Sequence, residues 1–358
     1  MTARGIWTVA KLELMQRVRG GRWYIALGVW VLVIAGVTAL TYWALNTDSA
    51  NAGSALYDVI VFFVLGLGML VMPSLTATSV NGDREHGVLA TLQTTLLTSW
   101  DIVLGKLLAA WLVSLAFLAA ALPFLLLAFI EGGIGAGVVL RSLLILVLVL
   151  AVVCAVGLMF STLTARTVSS AVLTYLTIAA LTVGTVIVFA MSYFLVADQE
   201  DVRIHGIPDS EWSKHMEDAP TEDDCTIFTR QMEVGHTERI WWLLAANPFV
   251  VVADAAPRQP GTWVDNSGSF TPLQAISTGI RAAKAGPSDA PLEECHFETG
   301  TPEPGGYTSP EVARAESAGA VWPYGLTFLL GAGLVSVLVA HRRLRTPIRR
   351  LPNGTRIA

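Results

Sequence analysis

Four histidines and two cysteines lie between residues 198 and 319, and their side chains could bind a metal ion or form a disulfide. They are His205, His215, Cys225, His236, Cys295 and His296. No CxxC or HExxH spacing, the kind that zinc sites use, occurs among them. We therefore assign no metal site and favour a disulfide between Cys225 and Cys295, provided that the segment faces an oxidising compartment.

A second candidate for chemistry is Gly105-Lys106, which resembles the end of a phosphate-binding loop. Trp100 stands where the first glycine of such a loop belongs, and Leu107 stands where a Ser or Thr would bind the metal. No GxSxG nucleophile elbow is present. We expect no catalytic residue, cofactor or nucleotide site in this chain, so any ATP must be hydrolysed by another chain.

The stretch from Asn81 to Lys106 carries a different signal. Four apolar residues fall on one stripe of a short helix predicted there, namely Val88, Leu89, Leu92 and Leu96. Ser99 and Asp101 are predicted to cap the helix that follows. A simple connection needs no apolar stripe, so we expect the short helix to dock either into the membrane surface or onto a partner protein.

The elements around this stretch are dominated by apolar residues. Of the 358 residues, 53% are hydrophobic and 14% are charged, and the mean hydropathy is +0.58. A soluble protein carries about 25% charged residues, so the composition excludes a soluble enzyme. Six apolar runs are long enough to cross a bilayer: Trp23 to Leu45, Leu56 to Ser79, Ile102 to Ile130, Val139 to Leu163, Val168 to Ala197 and Ala320 to Ala340. We predict an all-α polytopic membrane protein.

Charge is distributed unevenly along the chain. Residues 198–317 hold 21 Asp or Glu against 8 Lys or Arg, a balance of -13, and the other residues hold 15 basic against 7 acidic, a balance of +8. The basic residues flank apolar runs and form no basic domain, so nucleic-acid binding has no support. By the positive-inside rule, both termini are predicted to be cytoplasmic and the acidic insertion extracellular. Only four of the 23 basic residues are lysine, and because this bias is typical of a GC-rich bacterial genome, we expect a bacterial plasma membrane.

Three further segments outside the spans carry signals of their own. Residues 1–22 are predicted to form an amphipathic helix on an anionic membrane surface, with an ordinary basic flank as the alternative. Residues 198–319 are expected to be a loop-rich insertion. Within it, residues 240–256 form either a helix-break-helix element at the membrane, broken at Asn247-Pro248, or a buried helix of the insertion. Residues 341–358 are a basic tail.

Hydroxyl groups are the polar side chains that the spans offer to a substrate. Candidates for lining a path are Ser74, Thr78, Thr174, Tyr175 and Thr177. Each could instead make a hydrogen bond within the bundle. Because no charged residue lies deep within a predicted span, a hydrophobic or amphipathic cargo fits better than a small ion.

The stretch after the second run resembles a motif of the membrane (permease) subunits of type-two ABC exporters. Members of that family carry Arg-Glu-x-Gly-Thr-Leu, a short helix ending in Thr-Thr-Pro, and an acidic-aliphatic stretch leading to Gly-Lys. This chain matches at Arg84, Glu85, Gly87, Leu89, Leu92, Thr94, Thr95, Ile102, Gly105 and Lys106. It departs at Val88, where Thr is usual, and at Leu96, where Pro is usual. The Asn-Pro stretch between the last two spans is also similar.

This resemblance implies a coupling helix within residues 83–98. Its expected contacts with a cytoplasmic ATP-binding cassette ATPase are Arg84, Glu85, Gly87, Leu89, Leu92 and Thr95. ATP and Mg would then bind in the partner ATPase, and a second permease copy or a homologous permease would complete the transporter. The alternatives are a membrane-anchored binding or structural protein whose acidic insertion recruits a partner, and a membrane-embedded enzyme.

Overall fold

A computed structural model describes residues 2–44, 52–85, 97–132, 134–208, 225–256, 271–288, 290–295, 314–315 and 317–345. Among these, six helices are long and apolar enough to cross a membrane. They are Trp23–Ala44, Ala52–Glu85, Ser99–Ile130, Ala136–Leu163, Thr167–Tyr193 and Trp322–Leu344. The prediction of an all-α polytopic membrane protein with six spans is confirmed, although the fifth span ends before Ala197 and the sixth begins after Ala320.

The helices of the bundle follow one another with short breaks. In chain order they are α1 (Ala3–Arg19), α2 (Gly21–Ala44), α3 (Ala52–Thr76), α4 (Ser79–Glu85), α5 (Ser99–Ile130), α6 (Ala136–Leu163), α7 (Thr167–Ala179), a π-helical turn (Ala180–Gly184) and α8 (Thr185–Tyr193), with α12 (Trp322–Arg345) as the last helix. We call the end with α1, α4, the start of α5 and the end of α12 the basic end, and the opposite end the insertion end.

The centre of the bundle is formed by α3 and α6, which pack closely against each other. Gly157 of α6 allows this approach, because a Cβ there would lie 2.0 Å from the hydroxyl oxygen of Thr76. Tyr57 and Ser142 share a buried hydrogen bond between the same helices. In contrast, α2 and the span formed by α7 and α8 bury little of their apolar surface inside the chain, 17% and 6% of their most apolar windows.

The insertion contains a three-stranded sheet. Its strands are β1 (Ala197–Gly206), β2 (Thr226–Gly235) and β3 (Leu292–Glu293), in the order β2-β1-β3. β1 pairs antiparallel with β2 and parallel with β3. Cys225, just before β2, and Cys295, just after β3, are joined by a disulfide across the end of the sheet. The expectation of a loop-rich segment missed these strands, because β1 and β2 are rich in charged residues and show little apolar alternation.

Three helices of the insertion pack onto the bundle. They are α9 (Trp242–Ala245), α10 (Pro248–Ala255) and α11 (Pro272–Ala285). The break between α9 and α10 falls at Asn247, whose side chain accepts a hydrogen bond from the Phe249 amide and so caps α10. The Asn247 amide group also donates to the Thr182 carbonyl in the π-helical turn, at 2.7 Å.

Two buried carboxylates attach these helices to the spans. Asp58 of α3 accepts hydrogen bonds from the amides of Leu273 and Gln274, 3.0 and 3.1 Å away, at the start of α11. Asp254 of α10 accepts from the amides of Val321 and Trp322, 2.6 and 2.9 Å away, at the start of α12. Each carboxylate therefore satisfies the free amides at a helix N-terminus, where the helix dipole also favours negative charge.

Asp254 is further held by Arg281 of α11, whose Nε donates to it at 2.6 Å. Burial alone acts to raise the pKa of Asp254, but the Arg281 hydrogen bond and the two backbone donors outweigh it, so this pKa lies below its ordinary value. Arg141 of α6 donates to the Ala255 carbonyl at 3.1 Å. The C-terminus of α10 is thereby tied to the bundle as well.

His236 joins the sheet to the turn that leads into α9. Its Nε2 lies 3.0 Å from a Glu200 oxygen on β1, and its Nδ1 lies 3.0 Å from a Glu238 oxygen. Only an imidazolium can donate to both carboxylates at once. The bond to Glu200, and then that to Glu238, raises the pKa of His236, with Arg239 nearby opposing the shift.

This arrangement predicts that the stability of the insertion depends on pH. Because the folded pKa lies above the ordinary 6.5, the stabilisation is complete below pH 6.5 and is lost as the pH rises through the folded pKa. We expect hydrogen exchange in β1 and β2, corrected for its intrinsic pH dependence, to accelerate across that window. His236→Gln should remove the transition, and an unchanged transition in this variant would assign it to another group.

Candidate functional site

A cluster of paired charges lies at the basic end, where α1, α4 and α5 meet. Lys106 of α5 has a side chain that is 1% exposed, and it forms ion pairs with Glu13 of α1 and with Asp83 of α4, the latter at 2.6 Å. Its ammonium also donates to the Ser79 carbonyl at 2.9 Å. We call Glu13, Asp83 and Lys106 the loop-base triad, because α4 and α5 are the two helices that flank residues 86–96.

The triad is energetically demanding because its charges are shielded from water. A buried ion pair gains little over apolar packing, but removing one partner typically costs about 3 to 5 kcal/mol, because a buried charge is left uncompensated. Arg17 of α1 extends the cluster: its guanidinium lies 4.0 Å from Glu13 and donates to the Leu75 carbonyl of α3 at 3.0 Å. Opposite charges thus alternate from Arg17 through Glu13 and Lys106 to Asp83.

The start of α5 is also bonded to α1. Thr98 caps α5 by accepting from the Asp101 amide, and the Asp101 carboxylate accepts from the Thr98 amide in a capping box. The predicted cap, Ser99 with Asp101, was therefore wrong by one residue at its N-cap, since Ser99 is already the first helical residue. The Thr2 amide donates to Asp101 at 2.9 Å, so one carboxylate holds the beginnings of both helices.

Glycines let α1 lie directly on α5. A Cβ on Gly105 would come within 2.6 Å of the Val9 Cβ and 2.9 Å of the Ile6 carbonyl oxygen. A Cβ on Gly5 would lie 3.1 Å from the Asp101 carboxyl carbon. Gly105 and Lys106 therefore act together: the glycine brings α1 close, and the lysine pairs with its carboxylate.

Of the six expected coupling residues, the structure places Arg84 and Glu85. Arg84 donates to the Thr164 carbonyl at the end of α6, at 3.2 Å, whereas Glu85 is exposed at the last position of α4. Gly87, Leu89, Leu92 and Thr95 lie outside the described residues. The predicted coupling helix at 83–98 therefore stays a prediction.

α4 is fixed to α6 by further polar contacts. The Ser161 hydroxyl accepts from the amides of Val80 and Asn81, at 2.9 and 3.2 Å, and the Asn81 side chain donates to the Thr164 hydroxyl at 3.1 Å. On the other side of residues 86–96, the Trp100 ring stacks on His341 of α12, with centroids 3.9 Å apart. Both borders of this segment are therefore bonded to other helices of the bundle.

The expected path-lining hydroxyls occupy varied positions. Ser74 and Thr78 are exposed, while Thr174 is buried and bonds to the Ser170 carbonyl of its own helix. The Tyr175 hydroxyl donates across to the Leu70 carbonyl of α3 at 2.8 Å, and that of Thr177 donates within its helix to Leu173. Of these bonds, only that of Tyr175 joins two helices, as the alternative role within the bundle requires, and a role in a substrate path stays a prediction.

Sequence reasoning missed Glu13 and Asp83 as members of the site. Glu13 could have been found, because it is the one acidic residue among residues 1–22 and lies on the helix face opposite most of the basic residues. Asp83 offers no comparable signal, since acidic residues are common at helix ends. Within the described ranges, no group of three or more His, Cys, Asp or Glu side chains could hold a metal ion.

The comparisons with known proteins identify no family for this chain. No protein-family model matches this chain, and no curated protein is significantly similar to it. The structure defines a multi-pass membrane protein with six apolar spans, and the candidate site is the charged cluster that joins α1 to the two helices flanking residues 86–96 in the chain.

The contact of α1 with α5 predicts unequal effects of two glycine substitutions. Gly105→Ala should destabilise the detergent-solubilised protein by about 1 to 3 kcal/mol, because its Cβ overlaps Val9 and Ile6. Gly82→Ala in α4 is the matched control: its Cβ meets nothing within 4 Å, and alanine improves helix propensity by up to about 1 kcal/mol. Thermal unfolding measures both, and equal melting temperatures would contradict the close contact.

Proposed function

We propose that this chain is the membrane subunit of an ATP-binding cassette exporter and couples ATP hydrolysis by a separate cytoplasmic ATPase to outward movement of a hydrophobic or amphipathic substrate. The observation that carries the proposal is the loop-base triad, which ties both helices flanking residues 86–96 to α1. If a partner protein moved this segment, the movement would be transmitted to the bundle, because both flanking helices are bonded to α1.

Two further features support this function. Residues 86–96 carry the apolar stripe of the predicted coupling helix, with Leu89 and Leu92 as its contacts. The surrounding motif, from Arg84 to Lys106, resembles that of type-two exporter permeases, and Gly105 and Lys106 of the motif both contact α1. A protein that served only to anchor its acidic insertion would gain nothing from a supported apolar segment at the opposite end.

The proposal includes an orientation and partners. The basic end lies in the cytoplasm of a bacterial cell with both termini, and the insertion lies outside, where an oxidising environment maintains the disulfide between Cys225 and Cys295. Two permease subunits, identical or homologous, pair in the membrane, and each presents residues 83–98 to the ATPase. ATP and Mg are bound by that ATPase.

Removing the apolar contacts tests the docking role. The Leu89→Ala/Leu92→Ala variant should remain in the membrane, but the amount of ATPase that co-purifies with it should fall by about tenfold or more. The reason is that each leucine buried at the interface contributes about 1.5 to 3 kcal/mol to binding. Transport should be lost with it. Leu126→Ala/Leu140→Ala, which truncates two exposed leucines on α5 and α6, is the matched control. If the first variant kept both its ATPase and transport, the docking role would be wrong.

The orientation is tested by labelling intact cells with a membrane-impermeant maleimide. A cysteine at exposed Asp201 on β1 should react in intact cells, whereas one at exposed Arg343 on α12 should react only after permeabilisation. Native Cys154 is buried, and the other two cysteines form the disulfide, so the background should be low. The reverse pattern would place the basic end outside and contradict the proposed function.

A further inference from the structure

We propose that the outer edge of β2 binds an extended basic peptide, which adds to the sheet of the insertion as a further strand. This binding goes beyond the proposed function, because it concerns the insertion and needs no ATPase. Three features of the insertion support it: a strand edge without a partner strand, strand ends that are fixed in place, and acidic side chains without basic partners.

The first feature is the position of β2 at the outside of the sheet. The strand order is β2-β1-β3, so β1 occupies one side of β2 over the ten residues Thr226–Gly235. The other side of β2 meets no further strand among the described residues. A strand edge of this length offers a row of backbone donors and acceptors to a chain that lies beside it.

The register shows which backbone groups of β2 face outward. The His236 amide donates to the Val196 carbonyl at 2.9 Å, and this pair continues the antiparallel register of β1 and β2. Bonded and non-bonded pairs alternate in such a ladder, so the even-numbered residues of β2 bond to β1 and the odd-numbered residues face away. Within the described parts of the chain, no backbone group bonds to the outward amides and carbonyls. From the start of β2 these belong to Ile227, Thr229, Gln231 and Glu233.

The edge of β2 lacks the features that commonly prevent strand addition. The strand contains neither proline nor lysine, and its register with β1 continues without a bulge. Ile227, Thr229 and Gln231 are exposed and uncharged. A further strand would therefore find a complete row of donors and acceptors along a straight edge.

The second feature is that both ends of β2 are fixed. Cys225, just before the strand, is joined by the disulfide to Cys295. His236, just after it, bonds to Glu200 of β1 through its side chain and to the Val196 carbonyl through its amide. β2 is therefore extended before a peptide arrives, and little free energy is lost in ordering it on binding.

The third feature is the charge on the exposed face of the sheet. Asp201 pairs in register with Gln231, and Glu233 lies two residues further along β2, so both carboxylates lie on one face. Both are exposed, and among the described residues neither has a basic partner, since Arg230 pairs with Glu294 instead. Lysine or arginine at alternate positions of an added strand would lie on this same face.

Charge also makes a second copy of the chain a less suitable occupant. Residues 198–317 carry a balance of -13, so two insertions joined edge to edge would bring like charges together. Juxtaposed like charges disfavour association, whereas a basic peptide brings the opposite sign. In strand addition the backbone bonds supply affinity and the alternate side chains supply specificity. We therefore expect β2 to select extended peptides with basic residues at every second position.

The test uses the full-length chain in nanodiscs of zwitterionic lipid, without an ATPase. The probe is a fluorescent peptide that alternates lysine and threonine, and its anisotropy measures binding. We expect saturable binding. The same peptide with N-methylated backbone amides should bind at least about tenfold more weakly, because it keeps the charge but loses the donors. A peptide with glutamate in place of lysine should bind at least about tenfold more weakly as well.

Residue-resolved hydrogen exchange locates the peptide on the chain. Binding should slow the exchange of the outward amides of β2. The even-numbered amides already bond to β1, so their exchange should change little. This alternating pattern is expected from strand addition and not from attraction between side chains alone.

Variants of the edge separate backbone from side-chain contributions. Thr229→Pro removes an outward amide that β1 does not use, so the sheet should persist while the lysine peptide binds at least about tenfold more weakly. Thr229→Val keeps the amide and the branched shape, and it should bind like the wild type. Glu233→Gln should weaken binding by about two- to fivefold, whereas Glu131→Gln, which changes an exposed carboxylate outside the sheet, should have no effect.

Several results would overturn the proposal. They are equal binding of the methylated and unmethylated peptides, absence of binding by the lysine peptide, and unchanged binding to a folded Thr229→Pro variant. If that variant does not fold, the methylated peptide makes the same test on the wild type. Slow exchange of the outward amides before any peptide is added, in nanodiscs that hold two copies, would assign the edge to a second copy instead. None of these results involves the ATPase, so co-purification judges the proposed function separately.

Discussion

A charge within a membrane protein is tolerated where a partner compensates it, and this requirement governs the basic end of the bundle. Lys106 lies two turns inside an apolar helix, so its ammonium must be met by carboxylates brought from elsewhere in the chain. Glu13 and Asp83 meet it, and in doing so they place α1 and α4 against α5. One side chain thus joins three helices, among them the two that flank residues 86–96.

The insertion end is organised by carboxylates acting on backbone amides. Asp58 and Asp254 each accept two amide hydrogen bonds at the start of a helix, α11 and α12 respectively. Such caps replace hydrogen bonds that the helix itself cannot make, and they have strict directions. They therefore fix how the insertion sits on the spans, while the sheet and its disulfide stabilise the part that extends away from them.

Apolar runs of sufficient length predicted all six spans, because length and composition alone decide whether a helix can cross a bilayer. Pairings between distant residues left no such signal. Glu13 and Lys106 are 93 residues apart in the sequence, and Asp58 is 215 residues from Leu273 at the start of α11. Local patterns also erred by one residue at the cap of α5, since Thr98 and Ser99 are equally suitable by type. The strands of the insertion were not predicted because both faces of β1 and β2 carry charged residues.

These constraints are concentrated at the centre and at the two ends of the bundle. α3 and α6 pack through glycine and a buried hydroxyl pair, the basic end is joined by ion pairs, and the insertion end is joined by caps. Between these fixed regions, α2 and the span of α7 and α8 bury the least surface within the chain. The second of these spans contains the π-helical turn, which Asn247 contacts from the insertion, and the first continues directly from α1. The two spans that bury least within the chain are therefore each joined to one of these fixed ends, α2 through its junction with α1 and the span of α7 and α8 through Asn247.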